Sequence, residues 1–386
     1  METSVELKNE HKIRVALRFA TIDAISPWLL IVFYITGLDF VWLVNVNFLL
    51  YFSYLLLNIT RSFPSAFLGY LFSFACIASA LKLFLYVQAF RDYEFGHVFS
   101  YGFGLIMPLA AISFSARIKY VSYQSASRIF EKFSKTYLMI AAPGVVIYSI
   151  LYFIGKIEYF GLGVNLHYVY PWFLAGKIFP VFAFLLLILI SGKRSVLINY
   201  LAQTLVYYLP FLSTRPIKMA LFVLTLFSSF YLIYTQTTLL DRFSWLFSGE
   251  FDFNDPYFLL VSGGGRFEEL FGILDYFSIH SYDIFFGSPP GSFYIWAMDW
   301  SGYDASKNYS HVTFFGYIFR YGAIFSILLY LFLFKLIWHK FGSIDPYYLV
   351  VIGVVSSSFF GANLIIDPTS WLFLGFFLTR LKFGKR

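Results

Sequence analysis

Residues 237–311 read TTLLDRFSWLFSGEFDFNDPYFLLVSGGGRFEELFGILDYFSIHSYDIFFGSPPGSFYIWAMDWSGYDASKNYSH, the only long polar stretch in a chain otherwise built of apolar windows. The stretch holds a bend at Ser262-Gly263-Gly264-Gly265-Arg266 and a turn at Ser288-Pro289-Pro290-Gly291. Ordering so long a connector costs entropy that short loops avoid, so it reads as a functional loop at a membrane surface.

Composition sets the class around it. Of 386 residues, 59% are hydrophobic and 13% charged, and the mean hydropathy is +0.72. Soluble domains carry about 25% charged residues, so the chain is expected to be an all-α, polytopic transmembrane bundle forming a single domain over 1–386. The formal net charge of +7 does not point to nucleic acid. Lys and Arg sit in short connectors between apolar windows, where they orient a membrane protein. The single cysteine, Cys76, lies in an apolar run, which excludes an internal disulfide and a cysteine-built metal site. The N-terminal METSVELKNEHKIRVALRF has no signal-peptide core, so the first span is expected to be retained.

Spanning windows fall near 21–37, 40–57, 66–87, 98–115, 136–154, 178–192, 195–212, 218–236, 312–335, 347–366 and 369–381. Three basic segments are expected in the cytoplasm: the N-terminus (Lys8, Lys12, Arg14, Arg18), the 116–135 connector, and the C-terminus from Arg380. Counting crossings from either side of residues 237–311 gives opposite answers unless one more span exists. The aromatic, Gly-rich stretch 157–176 is the candidate. With it the chain has about 12 spans, both termini inside and the large loop outside.

Under that topology Arg194, Arg266 and His311 meet on the outer face. Arg194 closes the 178–192 span in the run LLLILISGKRSVL. It suits either a snorkelling anchor or a guanidinium fork for a phosphate. Arg266 opens the amphipathic stretch RFEELFGILDYF, whose Phe267, Leu270, Ile273, Leu274 and Phe277 recur at helical spacing. Glycines before a helix start let backbone N–H groups approach an anion. The alternative is a hinge with an exposed Arg266 balanced by Glu268 and Glu269. His311 stands where the loop meets the next span. It serves either as a structural residue or as a general base for a sugar hydroxyl, since its ordinary pKa is about 6.5. Asp252, Asp255, Glu268, Glu269 and Asp275 form a rival acid–base set, and a solvated loop face accounts for most of them. Arg320 and Lys82 fall inside apolar windows, where cations face the bundle interior. Arg320 is expected to line the same cavity as His311, and Asp367 is a candidate partner for a basic residue.

These segments resemble a family. ILISGKRSVL is similar to the T-x-S-R-G segment that ends a span in O-antigen polymerases (Wzy-type) and O-antigen ligases (WaaL-type). GGGRFEELFGILDYFSIHSYDIFFGSPPGSF resembles their outer-loop segment, and YSHVTFFGYIFRYGAIFSILLY resembles the H-N-x-x-L…G approach to the following span. The order of the three agrees. Two positions depart: Ser195 stands where the family has Gly, and Val312 where it has Asn.

The resemblance implies an inverting, metal-independent, cofactor-free glycosyltransferase of the GT-C type, with its site facing the periplasm in a bacterial inner membrane. The implied donor is a glycan on undecaprenyl pyrophosphate, with membrane lipid and a chain-length regulator as further partners. Arg194 and Arg266 would hold the pyrophosphate, and His311 would deprotonate or orient the acceptor hydroxyl. The polymerase is the leading expectation. An O-antigen ligase, sharing the donor half of the reaction, is the alternative, and a lipid-linked oligosaccharide flippase a more distant one.

Overall fold

The computed structural model describes residues 2–40, 42–59, 63–85, 95–157, 185, 187–188, 190, 194–212, 215–217, 220, 223–224, 266–296, 305–307, 310, 312–339, 345–360 and 368–383. The described residues are almost entirely helical. In chain order they form α1 (Glu2–Ile22), α2 (Ser26–Thr36), α3 (Trp42–Leu57), α4 (Ala66–Leu85), α5 (Phe95–Ser115) and α6 (Tyr123–Phe153). There follow α7 (Arg194–Leu212), α8 (Arg266–Ile279), α9 (Asp283–Phe286), α10 (Thr313–His339), α11 (Pro346–Phe360) and α12 (Pro368–Phe383). One small antiparallel hairpin pairs β1 (Tyr294–Trp296) with β2 (Ala305–Lys307), register Ile295 opposite Ser306.

Among the described residues, five helical stretches have the length and apolar composition to cross a membrane: Ser4–Thr36, Ala66–Leu85, Tyr101–Ile118, Tyr123–Phe153 and Thr313–His339, the last interrupted at Gly322. The windows at 40–57 and 347–366 correspond to the shorter apolar helices Trp42–Leu57 and Tyr347–Phe359. The expected span at 157–176 lies outside the described residues except for Ile157, as do most residues of those at 178–192 and 218–236.

Helix α1 buries Asn9, Ile13, Ala16, Leu17 and Ala20, a stripe at helical spacing, and turns its charges outward. It packs on α3, where Tyr54 donates to Lys12 O (3.2 Å) and Asn47 to Phe19 O (3.0 Å). It also runs beside α6, which is capped at its start by the Ser122 hydroxyl accepting from Ser125 N–H (3.2 Å). Pro143 interrupts the backbone ladder of α6. Nearby, the Trp28 indole donates to Ile140 O (2.9 Å), and Gly144 leaves it room: a Cβ there would stand 2.9 Å from the indole nitrogen.

The core runs through α1 to α7 and α10 to α12, with Trp371, Phe72 and Tyr137 fully buried. At one end the three basic segments come together. Glu6 accepts from Ser122 N–H (2.9 Å), and Asn9 donates to Arg117 O (3.4 Å). Arg380 pairs with Asp345 (3.2 Å) and covers the Tyr123 ring at 3.3 Å.

The expected span at 312–335 is not one straight helix. Gly322 has φ 88 and ψ 163 inside α10, which breaks there. The leading piece, 313–321, folds back along the rest, so the Phe314 and Tyr330 rings meet at 4.9 Å. On an unbroken helix those residues would stand about 24 Å apart along the axis. Gly322 adopts a backbone conformation that other residues avoid, and the hydropathy of the flanking residues carries no trace of it.

Candidate functional site

The break at Gly322 frees carbonyls that a continuous helix would have satisfied. Two of them find donors from elsewhere. Phe319 O accepts from Ser288 N–H (2.7 Å), and Arg320 O accepts from the Tyr101 hydroxyl (2.5 Å). Tyr321 returns the bond by donating its hydroxyl to Tyr101 O (2.8 Å), and the two rings meet edge to face at 5.1 Å.

The Gly287-Ser288-Pro289-Pro290-Gly291 turn is buried against this elbow. Gly287 (φ 84, ψ 162) and Gly322 face each other across the contact. A Cβ on Gly287 would collide with the Arg320 carbonyl, and one on Gly322 with the Phe285 carbonyl. Lys82, from α4, donates to the carbonyls of Phe286 (2.5 Å) and Gly287. This cation in the last turn of an apolar helix therefore ties the loop to the bundle.

Helix α8 lies beside the leading piece of α10. Ile273, Phe277 and Tyr294 pack with Phe319, the Tyr294 and Phe319 rings standing 5.2 Å apart. The buried stripe is Glu269, Gly272, Ile273 and Phe277, not the expected stripe that included Leu274, which is 51% exposed. Glu269, expected on a solvated face, is 1% exposed and accepts from the Ser310 hydroxyl at 3.0 Å. Ser310 Oγ also accepts from Val312 N–H (3.1 Å) at the approach to α10. A buried carboxylate requires such donors.

Arg266 is the first residue of α8, one turn before Glu269. Arg194 is the first residue of α7. The side chains of both lie outside the described atoms, and His311 lies outside the described residues, between the buried Ser310 and Val312. Asp252, Asp255 and Asp367 also fall outside.

Helices α7 and α11 run antiparallel: Asn199 accepts from Ser356, and Gln203 presses on Gly353. The start of α7 therefore neighbours the end of α11, where Phe359 packs on Phe314 at 5.3 Å. Thus the helix that Arg266 opens is tied to Ser310 by Glu269, while the helix that Arg194 opens packs on α11. Beyond Arg194 on α7, Asn199 Nδ2, Gln203 Oε1 and Thr204 Oγ1 are buried without a hydrogen-bond partner among the described residues. Arg320 is 1% exposed at the elbow. Among the described residues no three His, Cys, Asp or Glu side chains cluster to hold a metal.

Sequence reasoning named Glu269 but not its burial, and missed Tyr101 and the Gly287–Gly322 contact. The signals available were a glycine inside an apolar window and a second glycine beside the Pro-Pro turn. No family model, curated protein or solved structure matches this chain.

Proposed function

We propose that this protein is a membrane glycosyltransferase that joins lipid-pyrophosphate-linked repeat units of O-antigen or a related surface polysaccharide. The observation that carries the reading is the Glu269–Ser310 hydrogen bond. It ties the first turn of the helix opened by Arg266 to the residue before His311, two segments distant in sequence that the resemblance assigns to one site. Helix α7, opened by Arg194, packs on α11, whose Phe359 packs on Phe314.

In this reading Arg194 and Arg266 bind the pyrophosphate of an undecaprenyl-linked donor and offset charge on the leaving group. His311 accepts the proton of the acceptor hydroxyl. The acceptor oxygen forms its bond to the anomeric carbon from the face opposite the phosphate, and configuration inverts. The carbon–oxygen bond to phosphate breaks, and its electron pair leaves with undecaprenyl pyrophosphate. Glu269 acts as a positioning residue, holding Ser310 and hence the chain at 311. Arg320 supports the elbow behind this segment. The site faces the periplasm of an inner-membrane protein of about 12 spans, with the grouped basic segments on the cytoplasmic side.

The test is a surface-polysaccharide gel from a deletion strain complemented with wild type or His311→Ala. A single repeat unit on the lipid A core, restored to a ladder by wild type alone, is the expected result. Loss of every repeat unit from the core, with lipid-linked polymer still made, would mean the ligase. An unchanged ladder in the deletion strain would refute both.

A further inference from the structure

At the basic end of the bundle a groove of about 360 Å³ opens between α1 and α6. That volume falls within the roughly 300–1,000 Å³ of small-molecule sites. Arg14, Arg18 and Lys132 line one part of it, and Ile22, Ile25 and Ile140 another. Helix periodicity explains the grading. Arg14, Arg18 and Ile22 follow one another at four-residue spacing on α1, and Lys132, Thr136 and Ile140 do so on α6.

The two helices run in the same direction. Glu6 accepts from Ser122 near their starts, and Asp23 accepts from the Tyr137 hydroxyl (3.1 Å) further along. Both stripes therefore pass from cationic to apolar the same way. Beyond the groove, exposed Phe33 on α2 and Ile147 on α6 continue the apolar surface.

No carboxylate lines the groove. The nearby acids are engaged otherwise. Glu10 pairs with Arg14 along α1 at 3.3 Å, leaving the Arg14 side chain 49% exposed. Asp23 accepts from Ser26 and Tyr137, and Glu131 pairs with Lys135 at 2.7 Å. Among the described residues Arg18 and Lys132 have no ion-pair partner.

We infer that this groove binds an anionic phospholipid, its phosphodiester among Arg14, Arg18 and Lys132 and its acyl chains along α2 and α6. Guanidinium forks and an ammonium match phosphate oxygens. Basic pockets between membrane helices take such headgroups. A soluble phosphate ester offers the same anion but leaves Ile22, Ile25 and Ile140 without a partner. The inference is independent of the glycosyltransferase reading.

The test is native mass spectrometry of the full chain in detergent, titrated separately with phosphatidylglycerol, phosphatidylcholine and glycerol 3-phosphate. Phosphatidylglycerol should bind at least about tenfold tighter than phosphatidylcholine, and glycerol 3-phosphate should not be retained. The Arg18→Gln/Lys132→Gln double variant keeps the aliphatic stems. It should weaken phosphatidylglycerol binding about 25-fold, about fivefold per cation. The control Arg128→Gln/Lys135→Gln, with melting measured for both, should leave binding unchanged. Wild-type binding should also weaken with added salt. Equal binding of the two lipids, retention of glycerol 3-phosphate as tightly as phosphatidylglycerol, salt-insensitive binding, or a folded double variant within about twofold of wild type would each overturn the inference.

Discussion

Substituting Gly322 by alanine attacks the elbow where loop and bundle meet. At φ 88, ψ 163 the residue occupies a region that is essentially glycine's own. Holding alanine there costs about 1–3 kcal/mol. The new Cβ also meets the Phe285 carbonyl, which belongs to backbone held by Lys82 and cannot swing away like a side-chain tip. Forcing that contact apart adds about 1–3 kcal/mol. Together the penalty is about 2–6 kcal/mol. With an unfolding entropy of about 2.1 cal/mol/K per residue, a chain this long should melt about 2–8 °C lower.

The assay is thermal melting in detergent, read by loss of monodisperse protein. Gly102→Ala is the control, because its Cβ would meet nothing within 4 Å. That change sits in helix α5 and should be neutral, or stabilising by up to about 1 kcal/mol. Equal melting of Gly322→Ala and wild type, within about 1 °C, would refute the elbow as a glycine-dependent joint.

Other outcomes follow from neighbouring contacts. Lys82→Met removes the donor to Phe286 O and Gly287 O, leaving carbonyls at a cost of about 1–3 kcal/mol. Faster limited proteolysis between residues 280 and 292 should report it. Glu269→Gln keeps an acceptor for Ser310 and should melt close to wild type, whereas Glu269→Ala should lose about 1–3 kcal/mol. Polymer yield should follow the same order if the carboxylate only positions. Trp28→Phe deletes the bond to Ile140 O beside Pro143 and should cost about 1 kcal/mol in a melting measurement. Disrupting the Arg380–Asp345 pair with Asp345→Ala should cost less, about 0–1 kcal/mol, because both side chains are partly exposed.

Helical and apolar character was legible from hydropathy alone, in 66–87, where much of the helix is exposed, as in 98–115, where most of it is buried. Clustered cations at residues 8–18, 116–135 and the C-terminus foretold that those segments would share one end, because charge bias acts over whole connectors. Two things were not legible. Hydropathy does not register backbone conformation, so YGAIF within 312–335 reads as continuing span although Gly322 ends the helix. The two acids Glu268 and Glu269 look interchangeable on an amphipathic helix. Which one turns inward depends on the face chosen by Ile273 and Phe277 against Phe319, a tertiary choice. Lys82 was legible as an interior cation, but its partners are carbonyls more than two hundred residues away.

The most direct measurement incubates purified protein with an undecaprenyl-pyrophosphate-linked repeat unit and follows released undecaprenyl pyrophosphate together with elongated glycan. Wild type should release one lipid pyrophosphate for each repeat unit joined. His311→Ala, Arg194→Lys and Arg266→Lys should each lose at least about a hundredfold in rate while staying folded, since lysine cannot reproduce the guanidinium fork. Elongation that proceeds at the wild-type rate in all three variants, or wild-type protein that leaves the donor intact, would contradict the account.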